Sequence, residues 1–334
     1  MFKRRLGRSD LDVSALGLGC WAMGGPWDWL EADGSQGPVG WGQVDDAESI
    51  RAIHYALEAG VNFFDTAANY GCGHSERVLA QALAGRREQV ILATKFGYIV
   101  DEEKRIVAET ENVVPRIRQE CEDSLRRLQT DYIDLYQFHV NEYPPEKAAD
   151  VRDVLETLVE EGKIRWYGWS TDNPQGARVF AQGAHCTAVQ HYLNMVRQRE
   201  DLPQMLAVCE EYDLASVIRS PLVMGMLTGK FTLDTTFPQD DIRHTWSLKT
   251  GRQPENLQRI EAVRTCFAEA GDPRTLAQIA LAWIWTRSER TIPIPGFKTV
   301  AQVKENIQAM ELGLLSDEQM KKIDEIFERT PVSS

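Results

Sequence analysis

Four side chains of this sequence could together protonate a carbonyl oxygen. Asp65 and Tyr70 belong to the segment DTAANY, Lys95 ends the apolar run QVILATK, and His139 ends YIDLYQFH. A free phenol has a pKa of ~10, but a nearby ammonium favours its phenolate form, and a buried carboxylate can hold that ammonium in place. Such a phenol can deliver its proton as a carbonyl oxygen gains charge, while a histidine orients the carbonyl by hydrogen bonding. None of the four can supply a hydride, so a cofactor is required.

These four side chains need structural elements that bring them together. Short β-branched or aromatic runs recur along the chain, each followed by a loop and a helical pattern of apolar residues. The eight runs are SALGLG (14–19), VNFFDTA (61–67), QVILATK (89–95), YIDLYQFH (132–139), KIRWYGWS (163–170), CTAVQ (186–190), LASVIRS (214–220) and TIPIPG (291–296). Strands that alternate with helices in this way predict an α/β fold, a single (β/α)8 TIM barrel. Its strands end at one mouth, where we expect Asp65, Lys95 and His139 to meet.

An open, doubly wound sheet is the alternative arrangement of alternating strands and helices. It would be expected to carry a GxGxxG motif after the first strand, whereas the segment that follows Gly17-Leu18-Gly19 has alanine at position 22. No Ser/Gly/Pro-rich linker divides the 334 residues, a length that one barrel with insertions can account for. We therefore expect a single domain over residues 1–334.

Capping residues mark several helix boundaries. Asp45-Asp46-Ala47-Glu48 reads as a capping box that opens a helix closed by Gly60. Asp272-Pro273 reads as an N-cap followed by proline at the first helical position. Outside the eight units we expect a hairpin that plugs the barrel floor, an enlarged loop after the first strand and two extra helices, at residues 2–14, 21–41, 254–269 and 316–328.

Composition excludes several classes of function. The chain carries 37 basic and 50 acidic residues, for a net charge of −13. General binding to nucleic acid or to an anionic membrane is not expected, because both require a cationic face. No apolar run is long enough to span a membrane, and the N-terminal segment lacks the apolar core of a secretory signal, so we expect a cytoplasmic protein. The six cysteines contain no CxxC pair, and no metal site is predicted.

At this point the sequence resembles the aldo-keto reductase superfamily over nearly its whole length. The resemblance rests on the order of the DxxxxY segment, the lysine and the histidine on their successive strands. The matching segments are GLGCWAMGG (17–25), NFFDTAANYGCGHSERVLAQAL (62–83), ATKFG (93–97), DYIDLYQFH (131–139), IRWYGWST (164–171), SPLVMGMLTGK (220–230) and IPIPGFKTVAQVKEN (292–306).

The resemblance implies an NAD(P)H-dependent oxidoreductase that reduces an aldehyde or ketone, or oxidises the corresponding alcohol or sugar. The cofactor would lie extended across the barrel mouth. Tyr70 would be the general acid, Asp65 and Lys95 its tuning pair, and His139 the residue that orients the carbonyl. The residues that the resemblance assigns to cofactor binding are Gly19, Trp21, Asp65, Ser170, Gln190, Arg219, Ser220, Leu222, Gly225, Gly296, Lys298, Gln302 and Asn306. Substrate binding is assigned to Trp21, Tyr70 and His139.

The segment around Lys298 favours NADPH over NADH as the cofactor. Thr299 and Gln302 have the spacing of an N-cap and an N3 residue, so a helix N-terminus is expected here, with Lys298 directly before it. Backbone N–H groups, the positive end of a helix and a cation together suit a phosphate monoester such as the adenosine 2′-phosphate.

Two positions depart from the family pattern. Arg219 stands where many members have an aromatic residue that stacks on the nicotinamide. Because a cation stacks poorly on an oxidised, positively charged ring, we expect Arg219 to favour the reduced cofactor or to contact the pyrophosphate. Thr171 replaces an asparagine that follows the serine in many members, which puts one carboxamide contact in doubt.

The loop after the first strand is rich in tryptophan. Trp21, Trp27, Trp29 and Trp41 either pack this loop onto the barrel rim or form a flat wall for a planar carbonyl substrate or a sugar. Its acidic residues, Asp28, Glu31 and Asp33, would repel anionic substrates if they faced the cleft. Specificity is expected to lie in loops 24–43, 98–109 and 229–250.

Two other classes of function remain as alternatives. A cofactor-binding regulatory or accessory subunit could share this fold and its four residues, and catalytic turnover would distinguish it from an enzyme. A barrel glycoside hydrolase would require two carboxylates at the mouth, but among the residues that end the eight runs only Asp65 is one.

Overall fold

The barrel is built from eight parallel strands, which follow one another in the sheet in chain order. The computed structural model describes residues 2–197 and 201–328. Its strands are β1 (Lys3–Arg5), β2 (Asp12–Ser14), β3 (Leu18–Gly19), β4 (Asp28–Leu30), β5 (Gln36–Pro38), β6 (Phe63–Asp65), β7 (Ile91–Phe96), β8 (Ile99–Asp101), β9 (Ile106–Ala108), β10 (Ile133–Phe138), β11 (Ile164–Ser170), β12 (Cys186–Tyr192), β13 (Ala215–Arg219) and β14 (Thr291–Pro293). The barrel strands run β3-β6-β7-β10-β11-β12-β13-β14. This order confirms the predicted α/β barrel.

The first and last barrel strands come together beside the mouth. Gly17 N donates to Pro293 O over 3.0 Å, Gly19 N donates to Pro295 O over 3.1 Å, and Gly19 forms a parallel bridge with Gly296. A Cβ at Gly19 would lie only 2.7 Å from Ile294 O, so this close approach requires glycine. The expected run 14–19 yields a strand only at Leu18–Gly19, because Ser14 belongs to β2 and pairs with Lys3.

Ten α-helices surround the barrel within the described residues. They are α1 (Asp46–Glu58), α2 (His74–Ala82), α3 (Ile117–Leu128), α4 (Ala148–Glu160), α5 (Pro174–Ala181), α6 (Leu202–Glu211), α7 (Gln253–Glu269), α8 (Leu276–Arg287), α9 (Val300–Leu312) and α10 (Asp317–Ile326). The two extra helices expected at 254–269 and 316–328 are α7 and α10. Across the described ranges, no helix has both the length and the apolar character that crossing a bilayer requires.

Two predicted helix starts need correction. The Asp45 side chain caps α1, but Glu48 does not complete the capping box, because its carboxylate accepts a hydrogen bond from Val300 N at the start of α9. Helix α8 begins at Leu276 with Thr275 as its N-cap, three residues after Asp272. Asp272 instead accepts from the backbone and the guanidinium of Arg274.

The hairpin β1–β2 closes the floor of the barrel, as predicted for residues 2–14. Leu6, Leu11 and Val13 are buried in one cluster with Phe63 and with inward-facing residues of the other barrel strands. Their burial excludes water from the end of the barrel opposite the mouth, so polar groups inside the barrel must find partners within the protein.

A second sheet was not predicted. The enlarged loop after β3 forms the hairpin β4–β5, the loop after β7 forms the hairpin β8–β9, and β4 pairs in parallel with β9. The register places Trp29 opposite Val107. Residues 28–38 and 99–108 therefore form one four-stranded sheet beside the mouth.

A buried ion pair ties α2 and α3 to β7 next to Lys95. Glu76 is fully buried, accepts from Arg127 Nε over 2.5 Å, and accepts from the Thr94 hydroxyl over 2.6 Å. Arg127 also donates to the partly exposed Glu102 over 3.1 Å. The negative charge of Glu76 therefore compensates the positive charge of the Arg127 guanidinium, which is almost fully buried.

We predict that Glu76→Gln lowers the free energy of unfolding by about 3 kcal/mol, because it leaves the buried Arg127 charge without its main partner. The matched variant Glu102→Gln should cost less than about 1 kcal/mol, since its carboxylate is exposed to solvent. Urea denaturation followed by tryptophan fluorescence measures both changes. Equal losses in the two variants would contradict this assignment.

Candidate active site

One cleft of about 560 Å³ opens at the mouth of the barrel, within the 300–1,000 Å³ typical of small-molecule sites. With the exception of Lys95, every residue predicted for catalysis, cofactor binding or substrate binding lines it. These residues are Gly19, Trp21, Asp65, Tyr70, His139, Ser170, Gln190, Arg219, Ser220, Leu222, Gly225, Gly296, Lys298, Gln302 and Asn306. Lys95 is fully buried directly beneath the cleft.

Lys95 joins the predicted proton donor to its carboxylate. The Lys95 ammonium donates to Asp65 Oδ1 over 2.5 Å, to Thr66 O over 2.8 Å and to Tyr70 Oη over 3.2 Å. Three acceptors match the three N–H donors of an ammonium. Burial by itself lowers the pKa of Lys95, but Asp65 and then Tyr70 outweigh it, so the net pKa is raised and the side chain stays a cation.

The second oxygen of Asp65 is held by two glutamines. Gln137 Nε2 donates to Asp65 Oδ2 over 2.9 Å and Gln190 Nε2 donates to it over 2.8 Å. Sheet register explains the arrangement, because Gln137 on β10 pairs directly with Lys95 on β7. Gln190 Nε2 therefore already donates to Asp65 and, over 3.3 Å, to Gln137 Oε1. The carbonyl oxygen of Gln190 is the group that could accept a hydrogen bond from a carboxamide.

Burial and the charge of Lys95 shift the pKa of Tyr70 in opposite directions. Burial raises the pKa of the phenol above its ordinary value, and the charge of Lys95 opposes this increase without reversing it. Lys95 favours the phenolate as expected, but the loss of water around the ring has the larger effect, so the net pKa is raised. At neutral pH the phenol keeps its proton, as a proton donor must.

His139 is held neutral beside the phenol. Burial lowers its pKa well below the ordinary value, and the Lys95 and Arg219 cations lower it further. Its Nδ1 lies 3.0 Å from Asn69 Oδ1, and the hydroxyl of Tyr98 donates to its backbone carbonyl over 3.1 Å. The Tyr70 and His139 rings meet edge to face with centroids 5.8 Å apart. Both side chains therefore reach the same part of the cleft.

Aromatic rings form one wall of the cleft. Trp21 stacks on Tyr70 with centroids 6.0 Å apart and meets Trp41 edge to face at 5.4 Å. Trp29 meets Tyr98 edge to face at 5.0 Å, and Trp27 is almost fully buried against Val107. All four tryptophans line the cleft, so they both pack the rim and present ring surface to a ligand.

The acidic residues of the tryptophan-rich loop do not face the cleft. Asp28 precedes Trp29 on β4, and successive side chains of a strand point to opposite faces. Glu31 and Asp33 are exposed to solvent, and none of the three acids is among the residues that line the cleft. The condition for repulsion of anionic substrates is therefore not met.

The loops expected to determine specificity come together at the cleft. Trp41 bridges to Asp241, and Ile242 N donates to Gly40 O over 2.8 Å. The Arg243 guanidinium lies 4.5 Å from the centroid of the Trp41 ring. Loops 24–43 and 229–250 are thus joined beside the cleft, and the second sheet joins loop 98–109 to the same structure.

The two departures from the family pattern have clear contacts. Arg219 forms an ion pair with the buried Asp172, and its guanidinium lies 5.6 Å from the centroid of the Tyr192 ring. The Thr171 hydroxyl donates to Asn141 O over 2.9 Å and accepts from Asn173 N. Thr171 does not line the cleft, so its contacts position the loop after β11.

Residues 220–225, in the wall of the cleft, include several backbone conformations with positive φ. Ser220, Val223 and Met224 have φ of 56°, 49° and 50°, and Gly225 has φ of 93°. Positive φ is uncommon outside glycine, and such strain tends to collect at ligand sites. Five residues of this segment line the cleft: Ser220, Pro221, Leu222, Met224 and Gly225.

Two further points concern metal ligands and the thiol of Cys72. Within residues 2–197 and 201–328, no group of three or more potential ligands could hold a metal ion. Cys72 lies near Tyr70 in sequence, but burial raises the pKa of its thiol to about 12. A thiol with so high a pKa is a poor nucleophile at neutral pH.

Several residues of the site were not predicted from the sequence. Asn69, Tyr98, Asn141, Lys230 and Arg243 all line the cleft. Asn69 and Tyr98 could have been found, because each follows a barrel strand closely and the mouth collects such residues. The positions of Lys230 and Arg243 depend on how a long loop folds, and no local sequence signal indicates it.

Comparison with known proteins agrees with this geometry. The family model described as "Aldo/keto reductase family" matches residues 15–328. The aldo-keto reductase YhdN of Bacillus subtilis is 32% identical over 325 residues, which cover 96% of this chain and 92% of that protein. An Escherichia coli protein named NADH-specific methylglyoxal reductase is 31% identical, with 98% and 100% covered. The solved structure of a glycerol dehydrogenase from Gluconobacter oxydans is 30% identical, with a TM-score of 0.82 and 99% and 97% covered.

We predict that Asn69→Asp raises the pKa of His139 by one unit or more, because a carboxylate then lies beside Nδ1. In the parent protein the folded-state pKa of His139 is below its unfolded value of ~6.5, so its contribution to stability is lost as pH falls below that value. The aspartate variant should lose less stability than the parent protein between pH 7 and pH 5, by about 1.4 kcal/mol for each unit by which its His139 pKa rises above 5.

Titration of the His139 ring by NMR and urea unfolding at the two pH values measure both effects. Asn69→Leu is the control, since it removes the amide without adding charge, and it should leave the pKa low. An unchanged His139 titration in Asn69→Asp would show that the contact with residue 69 does not govern this ring.

Proposed function

The chain belongs to the aldo/keto reductase family, and we propose that it reduces an aldehyde or ketone by hydride transfer from a nicotinamide cofactor, with Tyr70 as the proton donor. The observation that carries this proposal is the position of Lys95. Its ammonium lies beneath the cleft, between the Asp65 carboxylate and the Tyr70 hydroxyl. A buried cation held against a phenol is suited to stabilise the phenolate that remains after the proton has been donated.

The substrate carbonyl would lie between Tyr70 and His139. In its Nε2–H tautomer, with Nδ1 accepting from the side-chain amide of Asn69, the neutral imidazole can donate to the carbonyl oxygen and orient it. The Tyr70 O–H would point its proton at the same atom. As negative charge develops on that oxygen, the phenol transfers its proton and Lys95 stabilises the phenolate. In the reverse direction Tyr70 must first lose its proton, so the raised pKa of the phenol supports faster alcohol oxidation at alkaline pH.

The lining of the cleft fits a nicotinamide dinucleotide. A reduced nicotinamide would supply the hydride. Ser170 and the carbonyl oxygen of Gln190 would hold its carboxamide, and the strained segment 220–225 would follow the pyrophosphate with backbone N–H groups. Gln302 and Asn306, at the first turns of α9, would receive the adenosine end.

We propose NADPH as the preferred cofactor, with NADH as its competitor. Lys298 supports this preference, because it places a cation directly before the N-terminus of α9. Arg219 would act on the nicotinamide end. Since its ion pair with Asp172 neutralises part of its charge, it would discriminate weakly between reduced and oxidised cofactor.

The wall of indole rings supports a planar carbonyl compound as substrate. Stacking on Trp21 would place such a ring next to Tyr70, at little cost in conformational entropy. A regulatory subunit with the same fold would need no such alignment of donor, cation and histidine.

We predict that Tyr70→Phe lowers kcat for carbonyl reduction by 10²- to 10⁴-fold, the usual contribution of a positioned general acid. Reduction of aromatic and aliphatic aldehydes, followed by NADPH and NADH absorbance, measures the loss. Cofactor binding, measured by quenching of tryptophan fluorescence, should change less than threefold, because the phenol contributes little to it.

Tyr98→Phe is the matched control. It removes a hydroxyl from the same aromatic wall, one that donates only to the His139 backbone, and should keep kcat within about fivefold. A folded parent protein that turns over no carbonyl compound with either cofactor would overturn the proposed function. Full activity in Tyr70→Phe would remove Tyr70 from its role.

A further inference from the structure

The N-terminus of α9 is occupied by a carboxylate of the chain itself. Val300 N, the first backbone donor of the helix, donates to Glu48 Oε1 over 2.8 Å. Glu48 belongs to α1, and helices α1 and α9 pack side by side. The side chain of Glu48 is about one-quarter exposed to solvent and does not itself line the cleft, but its partner Val300 lies in the chain between Lys298 and Gln302, which do.

Other donors near this helix end are also engaged. Thr299 Oγ1 accepts from Gln302 N over 3.3 Å, and Gln302 Oε1 accepts from Lys298 N over 2.7 Å. The Lys298 ammonium donates to the carbonyl oxygen of Trp41. An incoming phosphate would therefore have to compete with protein acceptors for most of these groups.

The charge of Glu48 persists across the neutral pH range. Its pKa lies below the ordinary value, first because of the hydrogen bond from Val300 N–H and then because of Arg51. Arg51 Nε and Nη2 donate to Glu48 Oε2 over 3.0 and 2.7 Å. Arg51 thus offsets part of the negative charge of Glu48, and the Glu48 carboxylate occupies the positive, N-terminal end of the α9 dipole.

The two dinucleotides differ at this point. The adenosine ribose of NADH carries an uncharged 2′-hydroxyl, which a nearby carboxylate does not repel. NADPH carries a phosphate there, which is repelled by a carboxylate and needs the donors that Glu48 and Gln302 already engage.

We propose that Glu48 is a specificity-determining residue for the cofactor, whose negative charge at the N-terminus of α9 opposes a 2′-phosphate. This inference rests on the proposed function, because it places the adenosine end of the cofactor at α9. Lys298 and Glu48 then act in opposite directions. The native protein uses NADH and NADPH with specificity constants within about tenfold of each other.

The test is the ratio of kcat/KM for NADPH to that for NADH in Glu48→Gln. Glutamine keeps an acceptor for Val300 N but removes the charge, so we expect the ratio to rise about tenfold. Glu58→Gln is the control, since it removes the same charge from an exposed position at the end of α1, ~15 Å along the helix. Its ratio should stay within twofold of the parent value.

Binding of two nucleotides isolates the phosphate from catalysis. Adenosine 2′,5′-bisphosphate and 5′-AMP differ only in the 2′-phosphate, and their dissociation constants follow from displacement of a fluorescent cofactor or from calorimetry. In Glu48→Gln the bisphosphate should bind about tenfold more tightly, while 5′-AMP binding changes less than threefold.

The possible outcomes separate the two proposals. If neither dinucleotide binds the native protein, the proposed function fails. If both bind but Glu48→Gln leaves the NADPH-to-NADH ratio and the bisphosphate affinity unchanged, the role of Glu48 fails while the proposed function stands. A native preference for NADPH well above tenfold would also overturn the inference. An equal loss of kcat/KM for NADPH and for NADH in Glu48→Gln would overturn the inference, because it would assign Glu48 a purely structural role.

Discussion

The ion pair between Lys95 and Asp65 is the interaction on which the site depends. Both side chains are almost fully buried, and an unpaired charge at such a position would be expensive. The barrel meets this constraint with neutral partners, because Thr66 O accepts from the ammonium while Gln137 and Gln190 donate to the carboxylate. With those partners in place, the third N–H of Lys95 is directed at Tyr70 and the charge serves the proposed chemistry.

Burial sets the protonation states around that pair. It raises the pKa of Tyr70 and lowers that of His139, so at neutral pH the phenol keeps its proton and the imidazole stays uncharged. Among Asp65, Tyr70, Lys95 and His139, the positive charge is on Lys95, at the place where a phenolate would form. A protonated phenol and an uncharged imidazole thus follow from burial of the two side chains. These are the protonation states that the proposed proton donor and orienting group require.

Sequence patterns predicted the barrel and the set of Asp65, Tyr70, Lys95 and His139, because both follow from local signals. These signals are the short β-branched or aromatic runs that form strands and the polar residues at or just after their ends. Contacts between distant loops were missed. Nothing near Trp29 indicates that β4 pairs with β9, and nothing near Glu48 indicates that its carboxylate reaches Val300. A capping box is the natural interpretation of Asp45 to Glu48, and only the packing of α1 on α9 explains why it does not form.

In the proposed function, Lys95 and Tyr70 act as one unit in proton transfer. A double-mutant cycle tests it most directly, with kcat for carbonyl reduction measured in Tyr70→Phe, Lys95→Met and the double variant, each checked for cofactor binding. Residues that act together are strongly non-additive, so the double variant should lose little more activity than the more damaged single variant. Losses that multiply across the two substitutions would contradict the account.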